Sequence, residues 1–172
     1  MLAQGKVIMH KSFPYARCIN TSQPSDLIAY LFSKESDNNI MLDLIFADLI
    51  GEGSLLPNSK ALCIDTPTGE DVLALKEIGV VDSVGIFKKP SPPLIIQGEG
   101  RKHPFPGDSF DFEFSGKGGF FEEFVKPAEF AGEICRTLQP EGFLEVHTTA
   151  RDSYIFNSFL ELFNCCELIG TR

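Results

Sequence analysis

The 172-residue chain contains no tryptophan, and it has no apolar stretch near the roughly 18 residues a membrane-spanning helix needs. Met1 to His10 carry one lysine and no long apolar centre, so neither a secretory leader nor a membrane anchor is expected, and the chain reads as soluble. Positive charge is also scarce: 15 Lys and Arg stand against 24 Asp and Glu, a net charge of −9. Such a field repels a phosphate backbone, and the densest basic run (Lys88, Lys89, then Arg101, Lys102 and His103) is too short to reverse it. Nucleic acid is therefore disfavoured as a partner. Small molecules or basic proteins suit the charge, although colloidal solubility alone is its plainer explanation. Zinc-type cysteine spacing is missing too. Of Cys18, Cys63, Cys135, Cys165 and Cys166, the second and third lie in apolar segments, where cysteine acts as a small buried hydrophobe, and a bridge between the adjacent last two would be strained. Free thiols in a reducing, cytoplasmic setting are the expectation. Asp65, Glu99 and Asp108 are not grouped at ligand spacing and the histidines are scattered, so no metal site is expected. A G-x-G-x-x-G loop is absent, which ranks dinucleotide oxidoreductases low.

What the chain has is apolar mass. It is 43% hydrophobic with 16 phenylalanines, and rings without a polar tip belong in one sizeable core. Residues 1 to about 25 carry no clear pattern. Asp26–Ser33 and Met41–Ile50 place apolar residues at helical spacing, and Gly51 and Gly53 end the second helix. From Lys60 the pattern alternates. Ala61–Ile64 reads as a buried strand, Thr66-Pro67-Thr68-Gly69 as a turn, and Glu70–Ile78 as a helix. Asp82–Ile86, Leu94–Ile96 and Phe110–Phe114 read as strands, separated by a Pro-rich connection and a loop. Pro127–Leu138 is a helix with proline in its first turn and an apolar stripe of Phe130, Ile134 and Leu138. Gln139-Pro140-Glu141-Gly142 stops it. Phe143–Val146 opens a strand, Ser153–Phe163 a helix, and Glu167–Ile169 a last strand. This alternation implies βαβ units, an α/β fold and a parallel sheet with right-handed crossovers.

Three stretches in this order carry a resemblance: ALCIDTPTGEDV (61–72), GEGRKHPFPGDSFDFEFS (98–115) and PAEFAGEICRTLQPEGFLEV (127–146). The chain resembles the class I S-adenosylmethionine (SAM) methyltransferase superfamily over roughly Lys60 to Phe163. VDSVGIFKKPSPPLII (81–96) is similar to plant methyltransferase-like proteins of unassigned substrate. The resemblance implies a Rossmann-like, mostly parallel sheet with helices on both faces and a truncated C-terminal strand pair. Residues 1–59 read as an N-terminal helical segment packing on a 60–172 methyltransferase-like domain, one globular unit overall.

The resemblance assigns the cofactor site residue by residue. Asp65 takes the acidic position that answers the cofactor ammonium, and Gly69 the second loop glycine. Pro67 stands at the first glycine, where it fixes φ and removes an N–H donor, so a loop needing positive φ there could not form. Phe87 replaces the carboxylate that usually grips the ribose diol. Glu99 aligns with the acid that meets the adenine amino group, with Gly100 beside it leaving room for the ring. His147, at the end of the fifth strand, is the candidate general base, a hydrogen-bonded structural histidine being the commoner alternative. His103 reads as a surface residue, and Asp111 and Glu113 share one strand face. Ser115-Gly116-Lys117-Gly118-Gly119 is a substrate loop without a P-loop arrangement, and Glu122 and Glu123 form a solvated face. The implied function is SAM-dependent methyl transfer to a small molecule or a protein with a degenerate cofactor loop. The alternative is a catalytically inactive Rossmann-like scaffold serving as an interaction or regulatory module. The single strand after the last helix leaves a sheet edge, expected to be covered by the N-terminal segment or paired in a homodimer.

Overall fold

The computed structural model describes residues 5–10, 38–116, 126–148 and 153–171. The helix expected over 26–33, the substrate loop from Lys117 onward and the Glu122–Glu123 face lie outside them.

Among the described residues, seven strands form a single sheet in the order β4-β3-β2-β5-β6-β1-β7. In chain order the elements are β1 (Gly5–His10), α1 (Asn38–Gly51), β2 (Ala61–Ile64), α2 (Glu70–Glu77), β3 (Ser83–Phe87), β4 (Ile95–Gln97), β5 (Phe110–Ser115), α3 (Pro127–Thr137), β6 (Leu138–Thr148), α4 (Ser153–Leu160) and β7 (Glu167–Thr171). The strands from β4 to β6 pair in parallel. β1 runs antiparallel to both β6 and β7.

Strand residues alternate between two apolar layers, as the pleat requires. Leu62, Ile64, Leu144, Val146 and Met9 face Phe130, Ala131 and Ile134 of α3 and Phe159 and Phe163 at the α4 end. Ala61, Cys63, Phe112, Phe114 and Ile8 face Ile45, Phe46 and Leu49 of α1 and Val72, Ala74 and Leu75 of α2. Helices thus cover both faces, as expected of an α/β sheet. Phe46 packs edge-on against both Phe112 and Phe114, with centroids 6.3 and 4.8 Å away. These rings take the place of larger aromatics in the core. No described helix is long and apolar enough to cross a membrane.

Only β7 follows the last described helix, and the neighbour it lacks comes from the other end of the chain. β1, which carried no clear sequence pattern, inserts between β6 and β7, pairing Gly5 with Thr148 and His10 with Phe143. Of the two ways expected to cover the β6 edge, this is the N-terminal one.

Two local departures have clear causes. A parallel connection usually needs a dozen or more residues, yet β3 returns to β4 through Lys88–Leu94 alone. That segment lies directly on β3: the Gly85 N–H donates to the Leu94 carbonyl at 2.8 Å. A Cβ at Gly85 would sit 2.5 Å from the Thr66 methyl, so only glycine lets the loop and the return segment close on this strand. In β6, the Gln139–Gly142 turn does not precede the strand but lies within it. The register jumps from Phe110↔Leu138 to Phe112↔Phe143, and Glu141 adopts φ 66° to absorb the extra residues.

The cysteines differ from expectation. Cys135 on α3 and Cys165 after α4 form a disulfide, so the reading of Cys135 as a reduced hydrophobe is corrected. Cys166 Sγ lies 3.3 Å from Cys165 Sγ. Cys63 is fully buried, and burial pushes its thiol well above the usual range.

Candidate functional site

The chain runs outward from β2 to β3 and β4, then reverses to β5 and β6. The strand order therefore switches between β2 and β5, where open α/β sheets form a crevice at the carboxyl ends. Asp65, the residue after β2, adopts φ 54°, a left-handed conformation that aspartate tolerates better than most residues. Gly69 adopts φ 75° and caps α2. The two left-handed residues flank Pro67, so this loop closes with no positive φ at the proline. α2 opens on Glu70 and Asp71. Carboxylates in that first turn occupy the positive end of the helix and disfavour a pyrophosphate there, which leaves the crevice suited to a cationic group.

Asp65 and Glu99 meet on the same edge. The Gly100 N–H donates to Asp65 Oδ1 at 3.2 Å. Burial pushes the Asp65 carboxyl above its usual range and Glu99 adds to that, while the Gly100 N–H, Lys88 and Arg101 pull the other way. Glu99 turns outward onto Arg101 at 3.3 Å with its side chain 56% exposed. Gly100 does not face open space. A Cβ there would come within 2.6 Å of Asp65 Oδ2 and 2.8 Å of the Phe130 ring. Phe87 ends β3 half-buried, with Lys88 Nζ 5.9 Å from its ring centroid.

Residues that the sequence reading left without a role hold the wall carrying Glu99 and Gly100. Glu133 and Arg136, one turn apart on α3, form a two-point pair at 2.8 and 2.7 Å. Arg136 also donates to the carbonyls of Phe105 and His103 at 2.8 and 3.2 Å. The His103 N–H donates to Glu133 Oε2 at 2.7 Å. The E-x-x-R spacing of the third stretch is therefore what clamps the loop of the second. The Arg136 guanidinium holds Glu133 down to about 2.

His103, expected at the surface, is buried in this clamp at 4% exposure. Its Nδ1 lies 2.8 Å from Thr137 Oγ1, which lies 2.7 Å from Glu113 Oε1. The Thr137 hydroxyl, which also lies 2.9 Å from the Glu133 carbonyl, thus bridges the imidazole to Glu113 and to α3. Burial lowers His103 to about 4, with Arg136 adding to the shift against Glu133 and the Gly100 carbonyl.

Asp111 and Glu113 do not act as a carboxylate pair. Asp111 Oδ2 accepts the Lys60 N–H at 2.8 Å, while Glu113 is fully buried against Thr137. On β6, the structure adds a partner for His147: its Nε2 lies 3.2 Å from Glu145 Oε1. Glu145 was missed although its signal was present, since residues two apart in a strand share a face. Among the described residues no cluster of His, Cys, Asp or Glu forms a cation site.

Residues 79–146 match the family model described as a methyltransferase domain. A SAM-dependent methyltransferase from Aquifex aeolicus superimposes with TM-score 0.56 at 15% identity, covering 79% of this chain and 87% of that one. The PH0226 protein of Pyrococcus horikoshii OT3 gives 0.54 at 17% identity, covering 67% of this chain and 59% of that one. The chain spans from 46% to 59% of the length of the first solved structures it matches. No curated protein matches the sequence. The sheet is thus Rossmann-like, and residues 79–146 within it are similar to a methyltransferase domain.

Proposed function

We propose that the chain binds SAM at the β2–β5 switch point and serves methyl transfer to a small molecule or a protein side chain. The observation that carries this reading is the hydrogen bond from Gly100 to Asp65, which brings the first and second resembling stretches together at one crevice. Asp65 suits the ammonium of the cofactor's methionine end, and Gly69 gives the loop its close turn. Glu99 is the acceptor for the adenine amino group, reached by turning from Arg101. Phe87 supplies a stacking face to the nucleoside but no acceptor for the ribose diol. The bound cofactor supplies an electrophilic methyl carbon. The chain's part is to orient it and exclude water.

Calorimetric titration with SAM and its demethylated product tests the reading. A Kd below about 100 µM, roughly −5.5 kcal/mol, supports it. Silence at millimolar ligand overturns it in favour of the non-catalytic scaffold. Phe87→Asp restores two acceptor oxygens at the ribose position and is expected to tighten binding about tenfold to a hundredfold, the equivalent of roughly 1.5–3 kcal/mol.

The acidic charge supports a partner other than nucleic acid. A cytoplasmic location belongs to the same proposal, and the Cys135–Cys165 bond pulls against it. Homodimerisation, if through a sheet edge, would use β7, whose Leu168 and Ile169 are 45% and 49% exposed. Sedimentation should then show a doubled mass that is lost on placing lysine at Ile169. A monomer at tens of micromolar ends that part of the reading.

A further inference from the structure

The Glu145–His147 pair stands on the same edge as Asp65 but on the far side of the switch point. The register pairs Cys63 with Phe114 and Phe114 with Glu145. Extended by two residues, just past the end of β2, this register puts Asp65, Gly116 and His147 near one level of the sheet edge. At the usual strand spacing His147 lies about 10 Å from Asp65 along the crevice. Glu145 is 1% exposed, and its Oε2 has no partner among the described residues. The His147 ring keeps 21% of its side-chain surface open and rests edge-on against Phe114, with centroids 5.1 Å apart. A carboxylate so deeply placed costs free energy unless something uses it. A carboxylate accepting from Nε2–H across this 3.2 Å contact would fix the ring and leave Nδ1 as the lone-pair nitrogen.

We propose that His147, positioned by the buried Glu145 carboxylate, takes the proton released by a neutral O–H or N–H methyl acceptor lying over the ends of β5 and β6. This inference rests on the SAM reading and narrows its acceptor to nucleophiles that must lose a proton, such as a phenol or an amine, in contrast to a carboxylate. In the step, the acceptor lone pair forms the bond to the methyl carbon and the carbon–sulfur pair stays on sulfur. The acceptor proton passes to Nδ1, and the imidazolium so formed faces Glu145. His147 is the catalytic residue and Glu145 its positioning residue.

The pair is tested without turnover. In the full chain, nitrogen chemical shifts of the neutral His147 ring should show Nε2 protonated and Nδ1 bare; a predominant Nδ1–H tautomer overturns the assignment. Carbethoxylation of His147 by diethyl pyrocarbonate, followed by peptide mass spectrometry, should slow at least about threefold in Glu145→Gln, because the ring loses the carboxylate that supports its nucleophilicity. An unchanged rate in that variant overturns the role of Glu145. With SAM and a phenol, an amine and a carboxylate as probes, methylation should fall on the first two, and His147→Asn should lower kcat about 100-fold with the KM for SAM held. Methylation of the carboxylate alone, or full turnover in His147→Asn, overturns the catalytic role; if no probe is methylated, the ring shifts and carbethoxylation rates decide it. A failed SAM titration would remove the cofactor reading while the ring shifts still report on the pair.

Discussion

Replacing Cys135 by serine should lower the unfolding free energy by about 3–4 kcal/mol. The Cys135–Cys165 bond closes a loop over a sequence separation of 30, and loop-closure entropy of the unfolded chain sets that magnitude. The closed segment contains β6 and α4, so the bond ties the outer half of the sheet to the helix that clamps the crevice wall. Cys135 is the residue to change. Substituting Cys165 would leave Cys166 beside the same partner, because its Sγ lies only 3.3 Å from Cys165 Sγ, and a substitute bridge could hide the loss. Urea unfolding with and without reductant checks the expectation. Reductant should shift the wild-type midpoint to that of Cys135→Ser and leave the variant unmoved. Five titratable thiols in the untreated protein, with no shift, would mean that the bond does not form.

That bond also marks where reading the sequence stops. β2 was legible because Ala61–Ile64 is an apolar run bounded by turns, and α3 because Pro127 opens a helix whose stripe includes Phe130 and Ile134. Both signals are local. β1 was not legible, since its worth comes from pairing with β6 at the other end of the chain. The bridge is illegible for the same reason: spacing does not give connectivity. Within β6 the local signal misled, because a Pro-Glu-Gly turn reads as a stop, whereas Glu141 in a left-handed conformation keeps the strand paired around it.

The site divides along the same line. Asp65 and Glu99 could be assigned to one edge from the order of strands, and the hydrogen bond to Gly100 joins the two stretches. What stands beside Gly100 could not be read: a Cβ there would meet the ring of Phe130, thirty residues on. His147 was singled out but Glu145, two residues before it on the same strand face, was not. The sequence did not show that Glu145 would be sealed and His147 left partly open.

His103 carries the last expectation, and its sign follows from burial. The imidazole titrates near 4 in the folded chain against 6.5 when free. Above pH 6.5 it is neutral in both states and adds no pH dependence. Between 6.5 and about 4 only the unfolded chain takes up the proton, so stability should fall by up to about 3 kcal/mol across that window. Glu133, held at about 2 against 4.5, continues the loss below pH 4.5 as the Arg136 partner is forfeited. In His103→Leu the first loss should vanish and the second remain, since leucine keeps the side chain buried without a titrating group. The comparison is made by urea midpoints of the two proteins at pH 7, 5.5 and 4.5. If the variant loses stability between 7 and 4.5 as steeply as the parent, His103 is not the buried neutral ring that closes the loop onto α3, and the clamp beside Gly100 must be held by Glu133 and Arg136 alone.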